Sequence, residues 1–158
     1  MPDAPQYQTH GALLPGDPLY VRRHADRELK EGILAGDFCY VLAPRQVGKS
    51  SLRAHVLVEM RDAGIMVATA NVQAGGGVKS EADWYEGLID LLVTSAVGMN
   101  PGFTFPFEWG KWWDAERGPL AQRFVKLLKE GFLAPTDGQW VITIDEIDAT
   151  ISPWAAAK

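Results

Sequence analysis

Residues 38–52 read Phe-Cys-Tyr-Val-Leu-Ala-Pro-Arg-Gln-Val-Gly-Lys-Ser-Ser-Leu, and their order decides the fold. The apolar run predicts a short buried strand from Asp37 to Leu42, because it is too apolar on both faces to serve as an exposed one. Ala43 to Ser50 matches the Walker A pattern G-x-x-x-x-G-K-[ST], with Ala43 in place of the first glycine. Leu52, Val56, Leu57 and Met60 then recur at helical spacing up to Gly64. A strand, a tight glycine-bearing loop and a helix in that order form a phosphate cradle, whose backbone N–H groups and helix N-terminus attract anions. Gly48 lets the backbone approach phosphate with no side chain in the way. Lys49 reaches the β- and γ-phosphates as a point charge, and the Ser50 hydroxyl is a magnesium ligand. The loop residues Pro44, Arg45, Gln46, Val47, Gly48, Lys49, Ser50 and Ser51 make up the candidate nucleotide-binding set, and alanine is acceptable at position 43 if φ stays negative there.

Working outward, Ile65 to Val72 predicts a second strand, and Trp140 to Ile144 a third. The third ends in Asp145-Glu146, the hhhhDE form of Walker B. Both acids fall at the C-terminal end of a strand, where open α/β sheets bind ligands. Consecutive strand residues point to opposite faces, so the two take different roles: Asp145 holds magnesium, and Glu146 is the general base that polarises water. Asp148 reads as a solvated charge or a local cap.

Between these strands the pattern is helical. Leu29, Ile33 and Leu34 mark a helix from about His24 to Leu34. Ser80 and Asp83 offer an N-cap for a helix striped by Trp84, Leu88, Leu91 and Leu92, and Pro119 suits the first turn of another. Alternating strands and helices predict a parallel sheet with flanking helices, an α/β fold of the P-loop NTPase kind. Phe103, Phe105, Phe107, Trp109, Trp112 and Trp113 crowd a connecting segment with only Lys111 and Arg117 as cations. That balance favours packing over base stacking. Residues 1–19, with four prolines, read as an arm, and 20–158 as one nucleotide-binding domain.

The chain has 158 residues, is 47% hydrophobic and 22% charged, and carries a net charge of -5. This is an ordinary globular composition without the basic footprint of a nucleic-acid binder. Its single cysteine, Cys39, permits no internal disulfide and reads as a buried structural thiol. The N-terminal residues lack the basic and apolar regions of a signal peptide, and no apolar run approaches the ~20 residues of a membrane span. The expected location is the cytoplasm.

With both motifs placed, the chain resembles the AAA-like domain family of bacterial STAND signal-transduction P-loop ATPases. The likeness rests on Tyr20-Val21-Arg22-Arg23, Ala25-Asp26, Glu28-Leu29, the 38–42 run, Arg45-Gln46, residues 48–52, Trp84-Tyr85 and the run from Ile144 to Asp148. It implies a nucleotide switch that uses ATP and Mg2+, self-associates, or is fused to sensor or repeat domains. It places Tyr20, Val21 and Arg23 at the adenine, and Arg45 at phosphate. From the residues alone, Tyr20 is equally a core aromatic and Arg23 equally a solvated charge. Asn71 stands where such relatives often carry aspartate and receives no role. The sheet order the resemblance implies, 5-1-4-3-2, requires two further strands that have no candidate here. The expectation is therefore a nucleotide-binding piece truncated after the Walker B strand, inactive in hydrolysis on its own. The rival reading is a non-enzymatic interaction module that keeps the fold without turnover.

Overall fold

The structure, a computed structural model, describes residues 12–13, 15–44, 46–75 and 80–147. It is mixed α/β: five α-helices and a two-stranded parallel sheet among the described residues. The chain divides into two compact units, one ending at Ala63 and the other beginning at Gly64, and each is described by itself.

The first unit holds α1 (His24–Ala35) and α2 (Lys49–Asp62). α1 begins where Asp26, in its first turn, accepts the Arg23 N–H at 2.9 Å, satisfying a donor that the helix cannot. It ends on Gly36 in the left-handed region, φ 79°, as helix C-termini commonly do. No α1 residue is fully buried, and Leu34 is exposed. α2 buries Ser51, Leu52, Val56, Leu57 and Met60, the stripe its spacing predicts. Lys30 on α1 donates to Glu59 on α2 at 2.7 Å, and Arg22 pairs with the same carboxylate at 2.6 Å.

The segment between these helices corrects the sequence reading. Residues 37–44 lie outside any strand, so the sheet has two strands where three were expected. Phe38 is 93% exposed, Tyr40 75% and Leu42 84%, and Cys39 is half-buried. A run that is apolar on both faces has the composition of a central parallel strand. A strand forms only against a neighbour's ladder, and no described segment supplies one to these residues.

The second unit holds β1 (Met66–Asn71), α3 (Glu81–Met99), α4 (Trp109–Ala115), α5 (Leu120–Leu127) and β2 (Trp140–Asp145). β1 and β2 pair in parallel, from Met66 opposite Trp140 to Asn71 opposite Asp145. The other edge of β1 is closed by side chains of α3 and its C-cap. Asn100 Oδ1 accepts from Val67 N at 2.9 Å while its Nδ2 donates to Val67 O at 2.8 Å, and Ser95 Oγ accepts from Thr69 N at 2.7 Å. These bonds satisfy backbone groups that a strand edge would otherwise bury unpaired. Ser80 caps α3 by accepting from Asp83 N at 3.1 Å.

Leu88, Ile89 and Leu92 of α3 pack with Ala68, Ala70, Phe103, Trp113, Leu127 and Phe132 into one core; each large aliphatic side chain fully removed from water contributes about 2 kcal/mol. The aromatic segment packs, as its charge balance indicated: Trp113 is 2% exposed, and Phe103 meets Trp140 edge-on at 5.0 Å. A π-helical turn, Leu128–Leu133, extends α5, and within it Gly131 lies so close under the Phe105 ring that a Cβ would overlap it. No described helix is long and apolar enough to cross a membrane.

Gly131→Ala is expected to lower stability by about 1–3 kcal/mol, the cost of overpacking a closed core. Thermal unfolding checks this, and an unchanged midpoint would show that the Phe105 ring moves aside freely.

Candidate functional site

The loop leading into α2 is shaped by two left-handed residues. Gly48, the N-cap of α2, has φ 84°, and Gln46 has φ 63°. A left-handed conformation costs a non-glycine residue about 1–2 kcal/mol. Among the described residues only Gln46 and Glu146 carry a positive φ without being glycine. One lies in each candidate motif, and strain of this kind concentrates at functional sites. Ala43 has no positive φ, so the departure from glycine there costs no strain.

Lys49 opens α2 with its side chain folded back over the loop, donating from Nζ to Ala43 O at 2.8 Å and to Pro44 O at 2.9 Å. Ser50 is exposed. Ser51 is buried, and its hydroxyl accepts from Leu13 N at 2.9 Å. Gln46 and Val47 are exposed, and Gly48 is half-buried. Arg45 and Asp148 lie outside the described residues.

The three residues that the resemblance placed at an adenine take different positions. Val21 is 75% exposed. The Tyr20 ring stacks on His55 of α2, with centroids 3.5 Å apart and planes 10° from parallel, and its hydroxyl donates to Asp26. Arg23 reaches the loop: Nη1 donates to Val47 O at 2.7 Å and Nη2 to Gly48 O at 3.3 Å. Its Nε lies 3.7 Å from Asp26 Oδ2. Burial works to raise the Asp26 pKa, but the Tyr20 hydroxyl, the Arg23 N–H and the Arg23 charge outweigh it and hold the carboxyl below its ordinary value. Burial and the bond to Asp26 push the Tyr20 phenol up. Asp26 and His55 were not assigned roles from the sequence. The signal for Asp26 was available, since an acid three residues after a helix N-cap is half of a capping box.

In the second unit, Asp145 and Glu146 end β2. Asp145 Oδ1 accepts from Glu146 N at 3.0 Å, a local bond that accompanies the left-handed Glu146, φ 57°. The Glu146 carboxylate accepts from Gln73 Nε2 at 3.3 Å. Both acids are half-buried. Opposite Asp145 in register is Asn71, whose side chain accepts from Gln73 N at 3.0 Å. The C-terminal end of the sheet is thus polar. No group of three or more His, Cys, Asp or Glu side chains that could hold a metal occurs among the described residues. Magnesium keeps several waters and needs only one or two carboxylates from a protein, so Asp145 fits that ion as a partial ligand.

A relative from Synechocystis sp. (strain ATCC 27184 / PCC 6803 / Kazusa), an uncharacterized WD repeat-containing protein, is 33% identical over 154 residues. The match takes in 92% of this chain but 12% of the relative. The chain therefore spans about an eighth of that protein's length. No protein-family model matches the chain, and no solved structure matches it. These findings correct the resemblance drawn from the sequence. They return a WD repeat-containing relative, and WD repeats build a β-propeller. The assignment to the AAA-like domain family of STAND ATPases is withdrawn, and the STAND and ATPase labels with it. Strand-loop-helix and strand-acid motifs describe a local geometry, and they do not by themselves establish a family. The described residues form helices and a parallel strand pair, whereas propeller blades are four-stranded sheets, so the WD repeats are a statement about the relative.

Glu59 gives the first unit a measurable pH dependence. Its Lys30 hydrogen bond, and then the Arg22 and Lys30 charges, lower its pKa against burial. A depressed folded pKa means a contribution that is complete above the unfolded value, about 4.3, and lost as pH falls through the folded one. Glu59→Gln should therefore flatten the acid limb of unfolding below about pH 4.5. Identical acid limbs for wild type and Glu59→Gln would contradict the pairing.

Proposed function

We propose that this chain binds the phosphates of a nucleoside triphosphate, ATP with magnesium, at the loop preceding α2, and that the bound nucleotide switches the loop between two states. The observation that carries the reading is Lys49: its ammonium lies over the loop, donating to the carbonyls of Ala43 and Pro44, directly after a left-handed Gly48. A neutral carbonyl is a weaker acceptor for a cation than a phosphate oxygen. The group is thus placed to exchange two carbonyls for phosphate, and that exchange is the switch.

The residues present fit the ligand. The first-turn N–H groups of α2 lack intrahelical acceptors and carry the positive end of the helix dipole. Ser50, exposed at the second position of α2, supplies a hydroxyl for magnesium. Asp145 and Glu146 belong to the second unit, where their reading as a magnesium ligand and a general base is supported by their position at the C-terminal end of a parallel strand and by the backbone strain at Glu146. A bound magnesium nucleotide supplies charge that orders both the hydroxyl and the lysine.

The P-loop NTPase arrangement is part of this proposal. It accounts for the strand-like composition of residues 38–42, which would carry the loop. Because these residues are unpaired among the described segments, the loop lacks the rigid support that reaction geometry demands. Binding is therefore expected without turnover by residues 1–158. The exposure of Phe38, Tyr40 and Leu42 favours one other reading, an interaction module that presents an apolar segment to a partner.

Lys49→Ala should weaken Mg·ATP binding about ten- to hundredfold, the loss expected for a charge-assisted contact of ~1.5–3 kcal/mol, while phosphate release stays at background in both proteins. Calorimetric titration of the chain and the variant decides the matter. Equal affinities would overturn the phosphate-loop assignment. An absence of binding together with association abolished by Leu42→Lys would favour the interaction module.

A further inference from the structure

The Arg23 guanidinium grips the carbonyls of two consecutive peptide groups in the loop, the second of which, Gly48 O, also accepts Leu52 N at 2.9 Å as the first bond of α2. Its Nη1 holds Val47 O at 2.7 Å, and its Nη2 holds Gly48 O at 3.3 Å. In a trans peptide the carbonyl and the N–H lie in one plane and point in opposite directions. Holding the Val47 carbonyl therefore turns the Gly48 N–H away from Arg23, and holding the Gly48 carbonyl does the same to the Lys49 N–H. Gly48 is left-handed, φ 84°, and Lys49 begins the helix. Successive N–H groups across such a left-handed to right-handed step form a concave anion-binding nest.

The arginine is itself held in place. Asp26 Oδ2 accepts the Arg23 backbone N–H at 2.9 Å and lies 3.7 Å from its Nε. Asp26 is half-buried, takes the Tyr20 hydroxyl on its other oxygen, and Tyr20 stacks on His55 of α2. His55 is in turn bonded through Nδ1 to Ser51 O at 2.9 Å. The chain of contacts leaves the loop at Gly48 and returns to the same helix one turn on. A Cβ at position 48 would lie 3.3 Å from Arg23 Nη1, so the guanidinium also fills the space beside the glycine.

We infer that Arg23 is a positioning residue for phosphate recognition: it orients the Gly48 and Lys49 N–H groups through the carbonyls of Val47 and Gly48, and Asp26 and Tyr20 hold it for that purpose. This rests on the phosphate-binding reading above. It gives Arg23 a ligand preference opposite to that of a base-contacting residue. A residue that shapes the nest acts on every polyphosphate, with or without a nucleoside, whereas a residue at the base acts on ATP and leaves inorganic triphosphate untouched.

The test uses the whole chain with Mg·ATP and magnesium tripolyphosphate as probes. Arg23→Ala is expected to weaken both by the same factor, about tenfold. Arg23→Lys, whose ammonium cannot grip two carbonyls as a fork, should recover only part of the loss. Guanidinium chloride, below concentrations that unfold the chain, should restore binding to Arg23→Ala and leave wild type unchanged. Far-ultraviolet circular dichroism verifies that α1 and α2 survive, and Arg23→Lys serves as the measured variant if Arg23→Ala does not fold. If Lys49→Ala weakens both probes and Arg23→Ala weakens neither, or ATP alone, the positioning role is overturned while phosphate binding stands. If Lys49→Ala also weakens neither, the phosphate-binding reading falls, and the positioning role with it.

Discussion

The left-handed turn at Gly48 is the constraint on which the functional region depends. It ends the loop and starts α2 at the next residue, sets Lys49 over the carbonyls of Ala43 and Pro44, and points peptide carbonyls at Arg23. Glycine is the only residue that occupies this conformation without steric cost. The side chains around it then form a closed set: Arg23 on the loop, Asp26 on Arg23, Tyr20 on Asp26, and His55 stacked beneath Tyr20. Most of these contacts are half-buried or exposed. Each is therefore individually modest, and their value lies in orientation more than in stability.

The second unit obeys a different constraint, the need to close a short parallel sheet. β1 has β2 on one side and the Asn100 and Ser95 side chains on the other, so it is a finished edge. The core beneath it, from Leu88 to Phe132, holds the strand pair firmly enough to carry a left-handed Glu146 at its end. Strain of that kind persists only where the surroundings over-determine it. The Glu146 bond to Gln73 and the Asp145 bond to Glu146 N are the local contacts that do so.

Periodicity made most of this readable in the sequence. The α2 stripe, the Ser80 cap, the start of α5 at Pro119 and the packing of the aromatic segment follow from spacing and charge, because local sequence dictates them. The run at 38–42 did not behave as its composition indicated, since a strand is defined by its neighbours and composition reports only the environment it suits. The helical contacts of Tyr20 and Arg23 were likewise beyond reach: an aromatic or an arginine near a helix start is compatible with many partners. Family membership was inferred from motifs that recur by geometry, and the WD repeat-containing relative corrected it.

The most direct measurement of the central claim is the amide spectrum of the nitrogen-15-labelled chain as magnesium tripolyphosphate is added. If the loop before α2 is a phosphate nest, the largest shifts fall on the amides of Val47, Gly48, Lys49 and Ser50, and Mg·ATP reproduces them. Shifts that spare these four amides, or that gather elsewhere on the chain, would contradict the account.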